Sequence, residues 1–302
     1  MSYLYSFWKL SRPHTIIGTT LSVFAIYFLV LAKSYQPITA LTLEQILGVW
    51  IACLSGNIYI VGLNQLYDVE IDQVNKPGLP LANGELSLKQ GQWIVGITGG
   101  LAILLAGSLG QELLITVAIS LLIGTAYSCP PIRLKRFPLL AALCILTVRG
   151  IVVNIGLFLH FSKTLGAKEG LSLSLWALTI FILVFTIAIA IFKDVPDLEG
   201  DKKYQIQTFT LLLGKSNIFT ITLWVITFCY LGMIAAGFFV LDSINTPYLV
   251  GYHLILLGCL WWKSRRVDLA IQSDITQFYQ FIWKLFFLEY ILFPLGSFIP
   301  TN

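Results

Sequence analysis

Asparagine and aspartate side chains recur at helical spacing in one short segment of the chain. Asn64, Asp68 and Asp72 are four residues apart, so on a continuous α-helix they share one face, with Cβ atoms about 5–6 Å apart. Two aspartates one turn apart repel each other unless a cation lies between them. Amide and carboxylate oxygens are the ligands that Mg²⁺ prefers, and Mg²⁺ commonly shares its coordination shell with a substrate phosphate. The segment therefore predicts a magnesium site.

A second acidic segment follows the sixth long apolar run. Asp194, Asp197 and Asp201 are spaced i, i+3 and i+7, but Pro196 is expected to end or kink a helix there. We therefore predict a second acidic site without fixing its helical face. Charge runs are commonly just solvated surface, yet two such segments on one side of a membrane favour a shared function. Two acidic walls facing one cavity would hold two metal ions and a diphosphate, whose developing charge the metals would neutralise.

The whole chain is apolar for its length. It has 302 residues, of which 57% are hydrophobic and 11% charged, with a mean hydropathy of +0.83, whereas soluble domains carry about 25% charged residues. Apolar runs of about 20 residues recur, and each is long enough to cross a bilayer as a helix. We predict an all-α polytopic membrane protein, a single domain over residues 1–302. Its expected partner is the lipid bilayer, with no nucleic acid and no obligate protein partner.

The charges between the apolar runs predict the topology. Nine spans are expected at residues 15–32, 45–66, 91–108, 111–127, 138–161, 172–192, 216–240, 246–262 and 279–298. With these spans, 14 of the 19 Lys and Arg residues fall on one side of the membrane, three on the other, and Arg149 and Lys284 within spans. Since basic loops remain in the cytoplasm, the N-terminus and both acidic segments are predicted to be cytoplasmic.

These features resemble the UbiA-type intramembrane prenyltransferases, which have nine helices around a central cavity and two motifs, NDxxDxxxD and DxxxD. The chain carries N-Q-x-x-D-x-x-x-D over residues 64–72 and D-x-x-D-x-x-x-D over 194–201. Gln65 departs from the general pattern, which has aspartate at this position. Its amide keeps an oxygen ligand but loses the charge. The resemblance implies a catalytic set of Asn64, Asp68, Asp72, Asp194, Asp197 and Asp201. Of these, Asp68, Asp72, Asp197 and Asp201 are expected to hold Mg²⁺.

Shorter strings narrow the resemblance to the homogentisate prenyltransferases. They are SRPHTIIGT over residues 11–19, NQLYD over 64–68, NKP over 75–77, LPLA over 79–82 and KDVPD over 193–197. The branch implies transfer of a prenyl group, most closely phytyl, from its diphosphate to homogentisate, with loss of CO₂ and diphosphate, in tocopherol biosynthesis. The lack of an Arg- and Ser-rich transit segment predicts a cyanobacterial form in the cell or thylakoid membrane.

Other functions remain open at this point. Within the family, the alternatives are homogentisate solanesyltransferase, chlorophyll synthase and other quinone-pathway prenyltransferases. A secondary transporter would show internal repeats and ionisable groups near the middle of the bilayer, whereas the carboxylates of this chain crowd one membrane edge.

Basic residues beside the acidic segments are candidates for diphosphate binding. The resemblance assigns this role to Tyr127 and Lys135, in the pattern Y-S-x-x-P-x-x-L-K, while Lys193 and Lys202 flank the second acidic segment. Arg133 lies in the same loop as Lys135, and we interpret it as a positive-inside topology signal.

Three further residues are candidates for binding the aromatic acid. Arg12 and His14 stand at the cytoplasmic end of the first span, and Arg149 lies near the middle of the fifth. A charge at that depth is costly and commonly functional; the alternative for Arg149 is a structural pair with Glu289. The alternatives for Arg12 and His14 are a topology signal and an interface residue. His160 and His253 are interpreted as interfacial residues.

Overall fold

The computed structural model describes residues 3–34, 37, 39–167, 170–198 and 208–300, and the regular structure within them is helical throughout. In chain order the α-helices are α1 (Tyr3–Leu10), α2 (Pro13–Ser34), α3 (Ala40–Tyr67), α4 (Val69–Asn75), α5 (Leu88–Leu109), α6 (Gln111–Ser128), α7 (Pro138–Leu146), α8 (Val153–Thr164), α9 (Leu173–Phe192), α10 (Phe209–Leu213), α11 (Lys215–Phe239), α12 (Thr246–Ser264) and α13 (Gln272–Leu295). A π-helical segment, Thr147–Val152, joins α7 to α8.

Eight helical stretches of the described residues are long and apolar enough to cross a membrane. They are α2, α3, α5, α6, the stretch Pro138–Thr164, α9, α11 and the stretch Gln272–Phe298. The remaining predicted span, 246–262, is also helical, as α12, but its Tyr, His, Trp and Lys side chains leave it less apolar. Each of the predicted spans therefore coincides with a helix of the described chain, and the all-α membrane fold is confirmed.

The described chain divides into two compact units. The first contains residues 3–24, 37 and 39–144, and the second contains residues 25–34, 145–167, 170–198 and 208–300. The first acidic segment belongs to the first unit, while Asp194 and Asp197 belong to the second. The cavity between two acidic walls and the single-domain organisation remain predictions.

Close helix packing supports the first acidic segment in the first unit. Helix α3 packs against α5 and α6. At Gly99 of α5 a Cβ atom would lie 2.6 Å from the Tyr59 ring, so a glycine there lets the two backbones approach closely. The Tyr59 hydroxyl shares a hydrogen bond of 2.7 Å with the Thr125 hydroxyl of α6. These contacts hold α3 near its C-terminal end, where the asparagine and aspartates lie.

A buried polar group lies among the helices of the second unit. Glu289 of α13 and His253 of α12 are both 0% exposed, with His253 Nε2 3.3 Å from Glu289 Oε2. The Tyr252 hydroxyl donates to Glu289 Oε1 at 3.2 Å. His160 is also buried, at 1% exposure. The interpretation of both histidines as interfacial is therefore wrong; for His253, pairing with a carboxylate offsets the cost of burial.

Candidate active site

The helix that carries the first motif breaks at Asp68. Helix α3 ends at Tyr67, and α4 begins at Val69. The Asp68 N–H donates to the Gln65 carbonyl, three residues back, at φ −119° and ψ 15°; aspartate is a residue type that favours helix ends. The condition for one shared face, a helix that continues through Asp72, is therefore not met. The first turn of the pattern does hold, since Asn64 Nδ2 donates to Asp68 Oδ2 at 3.0 Å.

Asp68 lies between two cations from the loop that follows α6. Arg133 Nη2 donates to Asp68 Oδ1 at 3.1 Å, and the Lys135 ammonium forms an ion pair with Oδ2. Burial lowers the pKa of Lys135 below that of an ordinary lysine, and the negative charge of Asp68 opposes that shift. The structure therefore brings the predicted phosphate-binding Lys135 directly to the predicted metal-binding Asp68.

Two arginines reach this cluster from strained backbone. Arg12 has φ 50° and Arg133 has φ 40°, in the left-handed region that residues with a Cβ seldom adopt. The Arg12 guanidinium donates to Asn64 Oδ1 at 3.2 Å, and Arg133 contacts Asp68. Such strain persists where surrounding structure enforces it and is common at functional sites. Arg133, interpreted from sequence as a topology signal, thus contacts a predicted site residue; no sequence pattern distinguished it from Arg136.

Gln65 holds the N-terminal helix rather than facing outward as a ligand. It is 1% exposed, and its Nε2 donates to the Leu10 carbonyl at 2.7 Å and to the Val61 carbonyl at 3.3 Å. An ionised aspartate accepts hydrogen bonds but donates none, so it would not replace these contacts. The departure from the family pattern therefore has a structural reason: Gln65 ties the end of α1 to the first motif.

The other predicted residues of the first unit are Tyr127 and His14. Tyr127 is partly exposed in the last turn of α6, and His14 is partly exposed in the first turn of α2. A cis peptide bond joins Pro130 to Pro131 in the loop that presents Arg133 and Lys135. The roles of Tyr127 and His14 stay predictions.

The second acidic segment is a turn. Helix α9 ends at Phe192, and Asp194 and Asp197 follow in turns that contain Pro196, as expected for a proline at this point. Lys193 Nζ lies 3.8 Å from Asp194 Oδ1, and Gln272 Nε2 of α13 donates to the Pro196 carbonyl at 2.8 Å. Asp201 and Lys202 lie outside the described residues.

Arg149 lies on an aromatic surface in the second unit. Its guanidinium carbon is 4.6 Å from the Trp283 ring centroid and 5.6 Å from that of Phe286. The described residues contain no ion pair between Arg149 and Glu289, whose two oxygens face His253 and Tyr252. The structural-pair alternative for Arg149 is therefore not what the structure shows.

Tyr279 stands beside the start of the second acidic segment, and sequence reasoning missed it. Its ring stacks on Phe192, with centroids 6.1 Å apart, at the residue that ends α9. Tyr279 interacts electrostatically with Lys193, Arg149 and Asp197. Its position one helical turn before Trp283 was a weak signal, because tyrosines also populate membrane interfaces.

The donor set of the first motif fits Mg²⁺. Within the described ranges, no three His, Cys, Asp or Glu side chains form a metal-binding group, but Mg²⁺ is commonly held by only one or two carboxylates together with substrate phosphates. Asp68, Asp72 and the Asn64 amide supply hard oxygens of this kind. Asp72 is only 5% exposed, and a carboxylate tolerates such burial when its charge is compensated.

Comparison with solved structures matches this architecture. A digeranylgeranylglyceryl phosphate synthase aligns with a TM-score of 0.64 at 20% identity, covering 98% of this chain and 99% of that chain. A UbiA homologue from Archaeoglobus fulgidus bound to DMAPP and Mg²⁺ aligns with a TM-score of 0.64 at 17% identity, covering 96% of this chain and 99% of that chain. At these identities the likeness establishes the fold.

Comparison with known sequences reaches further. Homogentisate phytyltransferase of Synechocystis is 58% identical over 302 residues, covering 100% of this chain and 98% of the relative. Homogentisate phytyltransferase 1 of Arabidopsis thaliana is 42% identical, covering 96% and 74%, and homogentisate solanesyltransferase of the same plant is 38% identical, covering 95% and 75%. The model of the UbiA prenyltransferase family matches residues 20–285. The chain therefore belongs to the UbiA prenyltransferase family.

Proposed function

We propose that this protein transfers a phytyl group from phytyl diphosphate to homogentisate, releasing diphosphate and CO₂, as a step of tocopherol biosynthesis. The observation that carries the reaction class is the position of Asp68, between the carboxamide of Asn64 and the cations of Arg133 and Lys135. Carboxylates for a divalent metal and cations for phosphate oxygens meet at one point there. The choice of donor and acceptor is supported by the 58% identity with the Synechocystis enzyme.

The residues of the first motif would bind the diphosphate head group. Asp68 and Asp72, with Asp197 and Asp201 of the second motif, would hold Mg²⁺, which neutralises charge on the leaving diphosphate. Lys135 and Arg133 would exchange Asp68 for phosphate oxygens when substrate binds, because charge-assisted hydrogen bonds to phosphate are strong. Tyr127, Lys193 and Lys202 are proposed as further diphosphate contacts, and Arg12, His14 and Arg149 as contacts of the aromatic acid.

The proposed chemistry balances without an external oxidant or reductant. The bond between C1 of the prenyl group and its bridging oxygen breaks, and the electron pair leaves with diphosphate. A ring carbon of homogentisate forms the new bond to C1 and then loses its proton. The carboxyl group leaves as CO₂, and the benzylic carbon takes up one proton, giving a methyl group. The apolar helices exclude water, which would otherwise capture a cationic prenyl group.

A substrate panel tests this proposal. Purified protein in lipid nanodiscs, with Mg²⁺, is supplied with homogentisate or 4-hydroxybenzoate and with phytyl, geranylgeranyl or solanesyl diphosphate. The proposal predicts the highest kcat/KM for phytyl diphosphate with homogentisate. Preference for solanesyl diphosphate would assign the activity of the 38% identical relative instead, and preference for 4-hydroxybenzoate would place the chain in a general quinone pathway.

A further inference from the structure

Arg149 is presented by an unusual piece of backbone. It lies in the π-helical segment Thr147–Val152, and such segments occur mostly as single turns at functional sites. Gly150 lets this segment approach α9, since a Cβ atom there would lie 3.0 Å from Leu183 Cβ and 3.1 Å from Leu183 Cα. The Gly150 carbonyl accepts a hydrogen bond from Asn154 Nδ2 at 3.1 Å.

Contacts with α13 fix the same segment from the other side. The Tyr290 hydroxyl donates to Asn154 Oδ1 at 3.1 Å, so Asn154 bridges the Gly150 carbonyl and α13. One turn earlier along α13, Phe286 and then Trp283 lie beneath the Arg149 guanidinium. Aromatic faces attract a guanidinium electrostatically, and they orient its plane.

The Arg149 guanidinium has aromatic neighbours but, among the described residues, no ion-pair partner. A cation inside a membrane-spanning helix is costly without an anion, and Glu289, the carboxylate that sequence reasoning offered as its partner, pairs with His253 and Tyr252 instead. A planar guanidinium whose face lies on an indole keeps its N–H edge for a planar anion, and a carboxylate fits that edge through two parallel hydrogen bonds.

Tyr279 stands beside the start of the second acidic segment, to which the proposed function assigns metal and diphosphate binding, because its ring stacks on Phe192 at the end of α9. Tyr279 stands one turn before Trp283 on α13, with ring centroids 6.4 Å apart, and Trp283 in turn lies under the Arg149 guanidinium. All of these residues belong to the second unit. An aromatic acid whose carboxylate binds Arg149 over Trp283 would have its ring on the side of Tyr279, toward Phe192 at the end of α9.

We propose that Arg149, on the surface formed by Trp283 and Phe286, binds the carboxylate of the aromatic acceptor, and that Tyr279 positions the acceptor ring. This assignment rests on the proposed function and deepens it, because it separates Arg149 from Arg12. Arg12 is engaged by Asn64 in the first motif, whereas Arg149 is the cation that selects acids over neutral quinols.

Acceptor binding measured apart from turnover tests the proposal. The Kd of homogentisate is measured by calorimetry with metal-free protein in nanodiscs, beside that of 2-methylhydroquinone, which lacks the carboxyl group. The variants are Arg149→Gln, Arg149→Lys and Tyr279→Phe. Arg266→Gln is the matched control, because Arg266 lies 3.9 Å over the exposed Trp262 ring in the same unit.

Arg149→Gln is expected to raise the Kd and KM of homogentisate about tenfold or more, the loss typical of a charge-assisted hydrogen bond. The KM of phytyl diphosphate and the Kd of 2-methylhydroquinone should stay within about twofold. The homogentisate Kd of Arg149→Lys should lie between those of the wild type and Arg149→Gln. An ammonium keeps the positive charge but cannot form the two parallel hydrogen bonds of a guanidinium. Tyr279→Phe should lower kcat while leaving the homogentisate Kd nearly unchanged.

An unchanged homogentisate Kd in folded Arg149→Gln would overturn the proposal. So would an equal rise in the Kd of homogentisate and of 2-methylhydroquinone. Where Arg149→Gln does not fold, the homogentisate Kd of Arg149→Lys decides by the same criterion. An unchanged kcat in Tyr279→Phe would overturn the role proposed for Tyr279. If wild-type protein transfers to 4-hydroxybenzoate alone, the proposed function fails, and the same comparison with that acid still tests the subsite.

Discussion

At the scale of single residues, Asp68 has more partners than a metal ligand needs. Asn64, Arg133 and Lys135 all contact its carboxylate, and the cations neutralise the charge that a metal would otherwise balance. Binding of a magnesium diphosphate would bring both a metal for Asp68 and phosphate oxygens for the cations. The site is therefore preorganised: the groups needed for substrate are already held together by each other.

Arg133 offers the sharpest test at this scale, because replacing it should affect stability and activity differently. Its φ of 40° is strained for arginine but ordinary for glycine. Arg133→Gly should therefore keep or slightly raise thermal stability, while kcat/KM for prenyl diphosphate falls about tenfold through loss of one charge-assisted contact. Arg136→Gly, in the same loop but with a side chain that donates to the Pro131 carbonyl, serves as control. Unchanged activity in Arg133→Gly would return Arg133 to a topology role.

Residue types predicted the chemistry of this site better than its geometry. Lys135 and Asp68 were both predicted and do meet, because the residue pattern names groups that attract each other. Arg133 and Tyr279 were not predicted, since their roles depend on a left-handed turn and on the stacking of α13 against Phe192. Those features follow from tertiary packing, which local sequence patterns do not encode.

At the scale of elements, α1 is coupled to the first motif through Gln65. The Lys9 ammonium also donates to Glu85 at 2.8 Å, and the hydrogen bonds from Lys9 and Ser6 lower the pKa of Glu85. Leu10 packs in a cluster with Leu81 and Leu86. Helix α1 is thus held from several sides just before the strained Arg12, and its position determines where Arg12 reaches.

Replacing Gln65 with the residue common elsewhere in the family should therefore destabilise this protein. Gln65→Asp removes the donor to the buried Leu10 carbonyl and places an acceptor nearby, at an expected cost of about 1–3 kcal/mol. The measurement is the Tm in detergent, with Gln111→Asp at the exposed start of α6 as control. An unchanged Tm together with tighter Mg²⁺ binding would show instead that position 65 is a ligand position.

Apolar runs in the sequence predicted where the helices lie, but not where the helices are irregular. Each span predicted from an apolar run coincides with a helix. About twenty apolar residues cross a bilayer as a helix because that form satisfies their backbone hydrogen bonds. The break at Asp68 and the π-helical segment at Arg149 were not predicted. Both shift hydrogen bonds by one residue, and the choice depends on neighbours such as Leu183 and Asn154.

At the scale of the whole molecule, the charge asymmetry predicts that both motifs lie on the cytoplasmic side. In a cysteine-free background, single cysteines at Gln73, Ser216 and Asp242, all exposed, report the side directly. A membrane-impermeant maleimide applied from the outside should label Asp242→Cys in intact cells, and Gln73→Cys and Ser216→Cys only after lysis. Labelling of Gln73→Cys and Ser216→Cys from opposite sides would contradict a site that uses both motifs.

The central claim is decarboxylative prenyl transfer by the first motif, and one measurement tests it most directly. Homogentisate labelled in its carboxyl carbon is incubated with phytyl diphosphate, Mg²⁺ and protein in nanodiscs, and labelled CO₂ and prenylated quinol are counted together. The account predicts equal amounts of both products, with at least about a hundredfold loss in folded Asp68→Asn, since removal of one charge-stabilising group commonly costs that much. Absence of labelled CO₂ from wild-type protein, or full activity in Asp68→Asn, would contradict it.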